Sequence, residues 1–343
     1  GVGPTGIVCA LLHDVVEDTD ITLQDIDQLF GKKVAKIIDG LTKISELFNQ
    51  NSNLQAENFK KLLLTLNDDV RVIIIKIADR LHNMQTLDAM PEDKQLKISS
   101  ETLYIYAPLA HRIGLYNIKT ELEDLSFKYT EPIRFKSIKN KIEESKEEQI
   151  SYIKSFSKII KNALAEESLE YTIKGRSKSI FSINRKMVRQ NIPFEKVFDK
   201  FAIRVIYKSN HRNEKFLAWK IYSIVTDHFT PNPTRLRDWI SAPKSNGYEA
   251  LHITVMGPQN RWVEVQIRSE RMHEIAEKGY AAHHKYKQGN QKDIGIESWL
   301  NRLQEVLENN SGNAVDFVED FKLNLYAKEI FVFTPKGDLK SLP

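Results

Sequence analysis

The chain has 343 residues, and at roughly 150 residues per domain that length implies two folded units. With 41% hydrophobic and 28% charged residues the composition is globular, and the net charge of +4 is too small to point to a polyanionic or polycationic partner. A single cysteine, Cys9, excludes a disulfide framework, no run approaches the ~18 apolar residues of a membrane span, and Gly1-Val2-Gly3 shows no basic lead into an apolar signal; the expected location is the cytoplasm.

From residue 5 to about 128 apolar residues recur three and four apart, as in Val34-Ile37-Ile38-Leu41 and Leu62-Leu66, which predicts helices. Asp20 or Thr22 caps one of them, Asp68 or Asp69 another, and Pro91 ends or follows a third. Cys9, inside an apolar run, is expected to be buried. The charged stretch 130–167 reads as a helical connector. From about residue 169 the period changes. Segments 201–207, 251–255 and 262–267 predict strands, the last by clean alternation, with helices near 178–190, 215–229 and 270–287. This half is expected to be α+β around a small mixed sheet. A terminal strand at 329–334 runs into Pro335-Lys336-Gly337-Asp338, as the first hairpin of a further domain would.

Chemistry concentrates in a few places. His13-Asp14-Val15-Val16-Glu17-Asp18 follows an apolar helical run; if the helix continues, His13 and Glu17 share one face with Asp14 and Asp18 alongside. Alone this is an ordinary solvated helix end. Asp79-Arg80-Leu81-His82-Asn83 changes that, because Asp79 leaves an almost wholly apolar run and needs a partner. Imidazole with carboxylates suits a transition metal such as Mn²⁺ better than Ca²⁺, and a metal there could activate water for phosphoester hydrolysis.

In the second half, Gly175-Arg176-Ser177-Lys178-Ser179 falls between strand and helix, with Ser182, Arg185 and Lys186 along that helix. Cations at a helix N-terminus are misplaced unless an anion such as a triphosphate binds there. No Walker loop is present. Asp199, just before the strand 201–207, and Glu264, in the strand 262–267, could hold Mg²⁺ and take a proton from an attacking hydroxyl. Between them lie Arg235-Leu236-Arg237-Asp238-Trp239 and Lys244-Ser245-Asn246-Gly247-Tyr248, followed by His252; Tyr248 offers a stacking face, or is a core tyrosine beside a turn.

His13-Asp14 with the remote Asp79 resembles the HD phosphohydrolase superfamily. The runs L-L-H-D-V-V-E-D-T, Q-A-E-N-F and I-A-D-R-L-H-N-M, then G-R-S-K-S, D-K-F-A-I-R-V, S-N-G-Y-E-A-L-H, V-E-V-Q-I-R and E-K-G-Y-A-A-H-H, resemble the catalytic region of Rel/SpoT proteins over essentially the whole chain. The resemblance implies an α-helical HD-type (p)ppGpp hydrolase domain (1–129), a connector (130–167), an α+β nucleotidyltransferase-like (p)ppGpp synthetase domain with a small mixed sheet (168–290), C-terminal helices (291–327) and the start of a TGS-like domain (328–343). It implies that His13, Asp14 and Asp79 ligate Mn²⁺, that Glu17 and Asp18 assist the attacking water, and that Asn83 and Thr86 contact the nucleotide. A further metal-ligating histidine is expected from sequence before Gly1. Arg176, Lys178, Ser182, Lys186 and Arg204 are expected to bind ATP, with Arg176 and Arg204 flanking adenine. Asp199 and Glu264 are expected to serve Mg²⁺, with Glu264 as base. Arg235, Arg237, Lys244, Asn246, Tyr248 and His252 are expected to line the GDP/GTP site, with Tyr248 on guanine. Arg235 to Asp238 resembles the R-x-K-D motif of bifunctional members with arginine in place of lysine. The expected activity is synthesis of (p)ppGpp from ATP and GDP or GTP, together with its hydrolysis. The alternatives are synthesis alone beside an inactive hydrolase domain, or a noncatalytic alarmone-binding regulator. The connector is the expected transmitter between domains; ribosome contact is expected only through regions beyond residue 343, and neither DNA nor membrane is an expected partner.

Overall fold

The computed structural model describes residues 3–49, 69–167, 169–197, 199–244, 246–279, 330–333 and 339–342. The first half is helical: α1 (Gly3–Leu11), α2 (Val15–Asp18), α3 (Leu23–Phe30), α4 (Lys32–Asn49), α5 (Val70–Gln85), α6 (Glu92–Glu101), α7 (Ala107–Arg112) and α8 (Tyr116–Thr130). Local sequence fixes several ends. The Thr22 hydroxyl accepts from the Asp25 amide at 3.3 Å while the Asp25 carboxylate accepts from the Thr22 amide at 2.8 Å, a reciprocal cap that starts α3. Asp69 caps α5 through the Arg71 amide at 3.0 Å, and Pro91 precedes α6. Ile26, Ile38, Leu41, Ile77, Met84, Leu109 and Leu122 close around Cys9, which is fully buried. The run Q-A-E-N-F lies outside the described residues, as do Leu62 and Leu66.

Helices α9 (Pro132–Glu144) and α10 (Lys146–Ala165) occupy the stretch expected to be a connector. Both contribute core: Ile138 packs with Phe127, Ile183 and Phe194, and α10 sends Tyr152, Phe156, Ile160 and Leu164 against the sheet. Their apolar residues at three- and four-residue spacing make α10 a layer of the second domain, with the Phe156 and Phe229 rings stacked at 4.4 Å.

That sheet has strand order β1 (Tyr171–Ser177), β2 (Phe201–Tyr207), β5 (Arg261–Ser269), β4 (Leu251–Gly257) and β3 (Arg237–Asp238). The β2–β5 pair is parallel and the other pairs antiparallel, so the sheet is mixed. Period-two geometry sorts its faces. Ile203, Val205, Ile253, Val255, Val263, Val265 and Ile267 join α10 and the second sheet-packing helix, α12 (Glu214–His228), in one core. The opposite face carries Arg204, His252, Thr254, Glu264, Gln266 and Arg268, brought level by the registers Ala202↔Glu264, Arg204↔Gln266, His252↔Gln266 and Thr254↔Glu264. Helix α11 (Ile180–Gln190) follows β1, and α13 (Glu270–Lys278) follows β5. The 280–287 part of the helix expected there lies outside the described residues. So do 291–327, whereas β6 (Ile330–Phe333) and β7 (Leu339–Leu342) pair antiparallel as a hairpin. Among the described residues no helix is long and apolar enough to cross a membrane.

The halves meet where Gly279 ends α13 against Gly114: a Cβ on Gly279 would lie 2.6 Å from the Gly114 carbonyl carbon and oxygen, and Gly279 has φ +58°. A side chain here meets both a steric and a backbone penalty. Gly279→Ala is expected to lower the unfolding free energy by about 1–3 kcal/mol, measured by urea denaturation; an unchanged midpoint would show that the two backbones do not meet.

Candidate functional site

The helical half brings three of its expected site residues together. The chain does not continue α1 through His13; it turns at His13-Asp14 and resumes as the single turn α2. That break, rather than a shared helix face, sets the geometry. His13 Nδ1 meets the Ala10 carbonyl at 2.9 Å, which fixes the ring with Nε2 turned toward the acids. Nε2 lies 2.8 Å from Asp14 Oδ2 and 3.7 Å from Asp79 Oδ1. An imidazole nitrogen facing two carboxylates calls for a cation between them, the proton of an imidazolium or a metal ion, and mixed nitrogen and oxygen donors are chemically suited to a transition metal. Asp79 also accepts from Asn83 Nδ2 at 3.0 Å, with Lys76 Nζ at 3.6 Å. Thr86 closes α5 and donates to the His82 carbonyl at 3.1 Å. Glu17 and Asp18 sit exposed on α2. Among the described residues no group of three or more His, Cys, Asp or Glu stands at full metal-binding spacing.

The second site lies on the polar face of the sheet. One cleft is lined by Thr120, Arg176, Lys178, Ser179, Ser182, Asp199, Glu264 and Gln266; a second is lined by Arg235, Arg237, Trp239, His252, Thr254 and Trp262. Asp199 and Glu264 border both. The acids therefore stand between two basic surfaces.

The charges are already paired. Lys178 Nζ donates to Asp199 at 2.5 Å, and Lys186 donates to its other oxygen. Ser179 caps α11 through the Ser182 amide at 3.2 Å, and the next donors, the Ile180 and Phe181 amides, reach Asp124 of α8 at 3.3 and 2.8 Å. The helix terminus thus holds a carboxylate from the other half, which burial pushes above its usual range despite those two bonds. Glu264 is partly buried, which opposes its charge, but His252 Nδ1 at 3.5 Å and Gln266 Nε2 at 2.6 Å outweigh this and hold its carboxyl at about 2.

The remaining expected residues are distributed more widely. Arg204 is 7% exposed and lies within the sheet, donating to Gln266 and Glu277 at 3.3 and 3.0 Å; burial and Arg268 hold it down at about 10. Arg235 and Arg237 line the second cleft, whereas Lys244, Asn246 and Tyr248 are not in its lining. Lys244 lies 4.2 Å above the Trp239 ring, and Asn246 donates to the Tyr116 hydroxyl of α8. The Tyr248 hydroxyl meets His252 Nε2 at 2.8 Å, and its ring packs edge-on against Tyr116 and Trp239. Burial pushes the His252 imidazole down against the pull of Glu264. Arg271 pins this loop by clamping Glu249 at 2.6 Å and Glu214 at 2.8 Å.

Trp262, Thr254 and Gln266 were not singled out from sequence, although two-residue alternation from Glu264 and register with β4 puts them on its face. Thr120 and Asp124 carry no such signal, since they reach the site from a distant helix.

Fold and site define a two-domain protein in which a helical His–Asp unit adjoins a mixed-sheet unit with a pair of acids between two clefts. Residues 2–116 match the family model described as an HD domain, and residues 175–291 match that of a region found in RelA and SpoT proteins. A GTP pyrophosphokinase of Myxococcus xanthus is 44% identical over 345 residues, covering 98% of this chain and 45% of that protein. The bifunctional (p)ppGpp synthase/hydrolase SpoT of Escherichia coli strain K12 is 40% identical over 342 residues, covering 98% and 48%. The chain spans about half the length of these curated relatives. The solved structure of small alarmone synthetase 1 from Bacillus subtilis, bound to its product pppGpp, aligns at 19% identity with a TM-score of 0.33, covering 52% of this chain and 98% of that one. The chain carries an HD domain followed by the region found in RelA and SpoT proteins, and along nearly its whole length it is similar to relatives of the RelA/SpoT type.

The Asp199 carboxyl is half-buried, which raises it, yet Lys178 and Lys186 hold it at about 2. The stabilisation from this depressed group is complete above about pH 4, the ordinary aspartate range, and is lost as pH falls through about 2. A ¹³C carboxyl titration of the protein without nucleotide or divalent ion is expected to find Asp199 ionised at about pH 3, and Lys186→Met to move it upward. An ordinary midpoint in the unaltered chain would contradict the lysine–aspartate triad.

Proposed function

We propose that the chain transfers pyrophosphate from ATP to the 3′-hydroxyl of GDP or GTP, and hydrolyses the resulting (p)ppGpp at the His–Asp site. The observation that carries the first activity is that Asp199 and Glu264 border both clefts. A reaction joining two anionic nucleotides needs carboxylates where they meet, flanked by cations for the phosphates. In this reading Arg176, Lys178, Ser182 and Lys186 hold the ATP phosphates, and their arrival releases the lysines from Asp199. Asp199 and Glu264 fit Mg²⁺, which when bound supplies charge neutralisation on the phosphates. Glu264 accepts the 3′-hydroxyl proton. Arg204, from its buried position, supports the adenine side. Arg235, Arg237, Lys244 and Asn246 receive the acceptor's phosphates and ribose, and Tyr248 turns a ring face to guanine beside His252.

At the other site His13, Asp14 and Asp79 fit Mn²⁺, which when bound supplies an activated water. Asn83 and Thr86 orient the nucleotide, and Glu17 and Asp18 relay protons from the exposed rim. The substrates are water-soluble nucleotides, consistent with action in the cytoplasm. The noncatalytic alternative accounts poorly for two acids placed against polyanionic phosphate.

Nucleotide turnover separated by anion-exchange chromatography tests both activities, with ATP, GDP and Mg²⁺ in one reaction and ppGpp with Mn²⁺ in another. Glu264→Gln is expected to slow synthesis by about 10²-fold or more while sparing hydrolysis. Asp79→Asn is expected to do the reverse, with hydrolysis reduced by about 10²-fold and synthesis retained. Binding without turnover in the unaltered chain would favour the noncatalytic regulator.

A further inference from the structure

The polar face of the sheet contains a continuous chain of hydrogen bonds that crosses from one domain to the other. It starts at Asn117, in the first turn of α8, whose Nδ2 donates to Glu277 Oε2 at 2.8 Å. Glu277 Oε1 accepts from Arg204 Nη1 at 3.0 Å and from Arg268 Nη2 at 3.1 Å. Arg204 Nε donates to Gln266 Oε1 at 3.3 Å, and Gln266 Nε2 donates to Glu264 Oε1 at 2.6 Å.

The chain has a direction imposed by chemistry. A guanidinium can only donate, so Arg204 requires the oxygen end of the Gln266 amide. The nitrogen end is then left for Glu264. An amide turned the other way would set its oxygen against a carboxylate and leave the buried Arg204 Nε without an acceptor, and each error is costly at this depth. Arg204 cannot drift, being 7% exposed and held by Glu277, whose position is shared with Arg268, 1% exposed. Glu277 in turn sits two residues before Gly279, the point of backbone contact with Gly114. The orientation of Glu264 is therefore set by a path whose far end is a side chain of the helical domain.

We propose that Gln266 is a positioning residue for Glu264, and that Asn117 of the helical domain fixes it through Glu277 and Arg204. This rests on the reading of Glu264 as the base for the 3′-hydroxyl. Gln266 acts by selecting the carboxylate rotamer that points its free oxygen toward the acceptor; Asn117 acts at a distance by keeping the path in register.

The test uses the full chain and three variants, Gln266→Leu, Asn117→Ala and the double variant, with Glu264→Gln alongside. Gln266→Leu is expected to lower kcat for pyrophosphoryl transfer about 30-fold, with KM for ATP and GDP within about threefold, because alignment and not binding is lost. Asn117 is exposed, so Asn117→Ala keeps the fold; a smaller loss in kcat is expected, of about 3–10-fold. In the same variant the ¹H–¹⁵N signal of the Gln266 side-chain amide is expected to move, a response that a purely local surface change would not give. The double variant is expected to lose no more than Gln266→Leu alone. Losses that multiply, an unmoved Gln266 amide signal, or a rise in KM without a fall in kcat would each overturn the proposal. If Gln266→Leu fails to fold, the kcat and amide signal of Asn117→Ala decide it. Full synthesis by Glu264→Gln would instead overturn the base assignment, and synthesis lost there but untouched in the other variants would overturn the positioning role alone.

Discussion

Much of this molecule follows from one constraint: a five-stranded sheet with an apolar face and a charged face must satisfy both. The apolar face is closed conventionally, by α10 and α12 over the valines and isoleucines of β2, β4 and β5. The other face carries Arg204, Arg268, Glu264, Gln266 and His252, and leaving such groups buried and unpaired would cost more than the fold could bear. The two arginines find their partner on α13 in Glu277, which also accepts from Asn117 of α8 in the helical domain. The domain contact thus reaches the site's charges through Glu277, and the two glycines at its centre permit the backbones to come close.

The same logic governs the mouth of the first cleft. Lysines 178 and 186 and the amide end of α11 form an anion-binding surface, and in this structure protein carboxylates satisfy it: Asp199 takes the lysines and Asp124 takes the amides. A phosphate entering there exchanges one set of charged partners for another. In the proposed reaction such an exchange would free Asp199, one of the two acids that border both clefts.

The local features of the fold were legible in the sequence, and the long-range ones were not. The Thr22 cap, the strand alternation at 262–267 and the change of period near residue 169 depend on neighbours a few positions apart. Each appears in the structure as a cap, a strand and a domain change. The break at His13 was not legible, because nothing in an apolar run ending in His-Asp distinguishes a continued helix from a turn closed by the Ala10 carbonyl. For the second site, motif and period identified Asp199 and Glu264 and the basic residues around them. Gln266 was legible in principle, lying two residues along the strand from Glu264. Asp124, Thr120 and Asn117 were not: they enter the site only because α8 packs against a domain whose first strand begins more than forty residues after it.

The placement of α8 also locates the physical connection between the two sites. The stretch 130–167, expected to link them, places its longest helix on the apolar side of the sheet, away from Asp199 and Glu264. Helix α8 instead faces both. At one edge Glu121 accepts from Gln85 at the end of α5, and Lys128 pairs with Asp88 just beyond it, at 2.6 and 2.9 Å; both Gln85 and Asp88 lie within two residues of Thr86. On the other side Tyr116, Asn117, Thr120 and Asp124, recurring at three- and four-residue spacing, meet the Tyr248 loop, Glu277, the first cleft and the amides of α11. A rigid helix fixed at both edges cannot shift for one site without disturbing hydrogen bonds at the other. Two ligands would be energetically coupled through α8 only to the extent that each binds its different positions with different affinity.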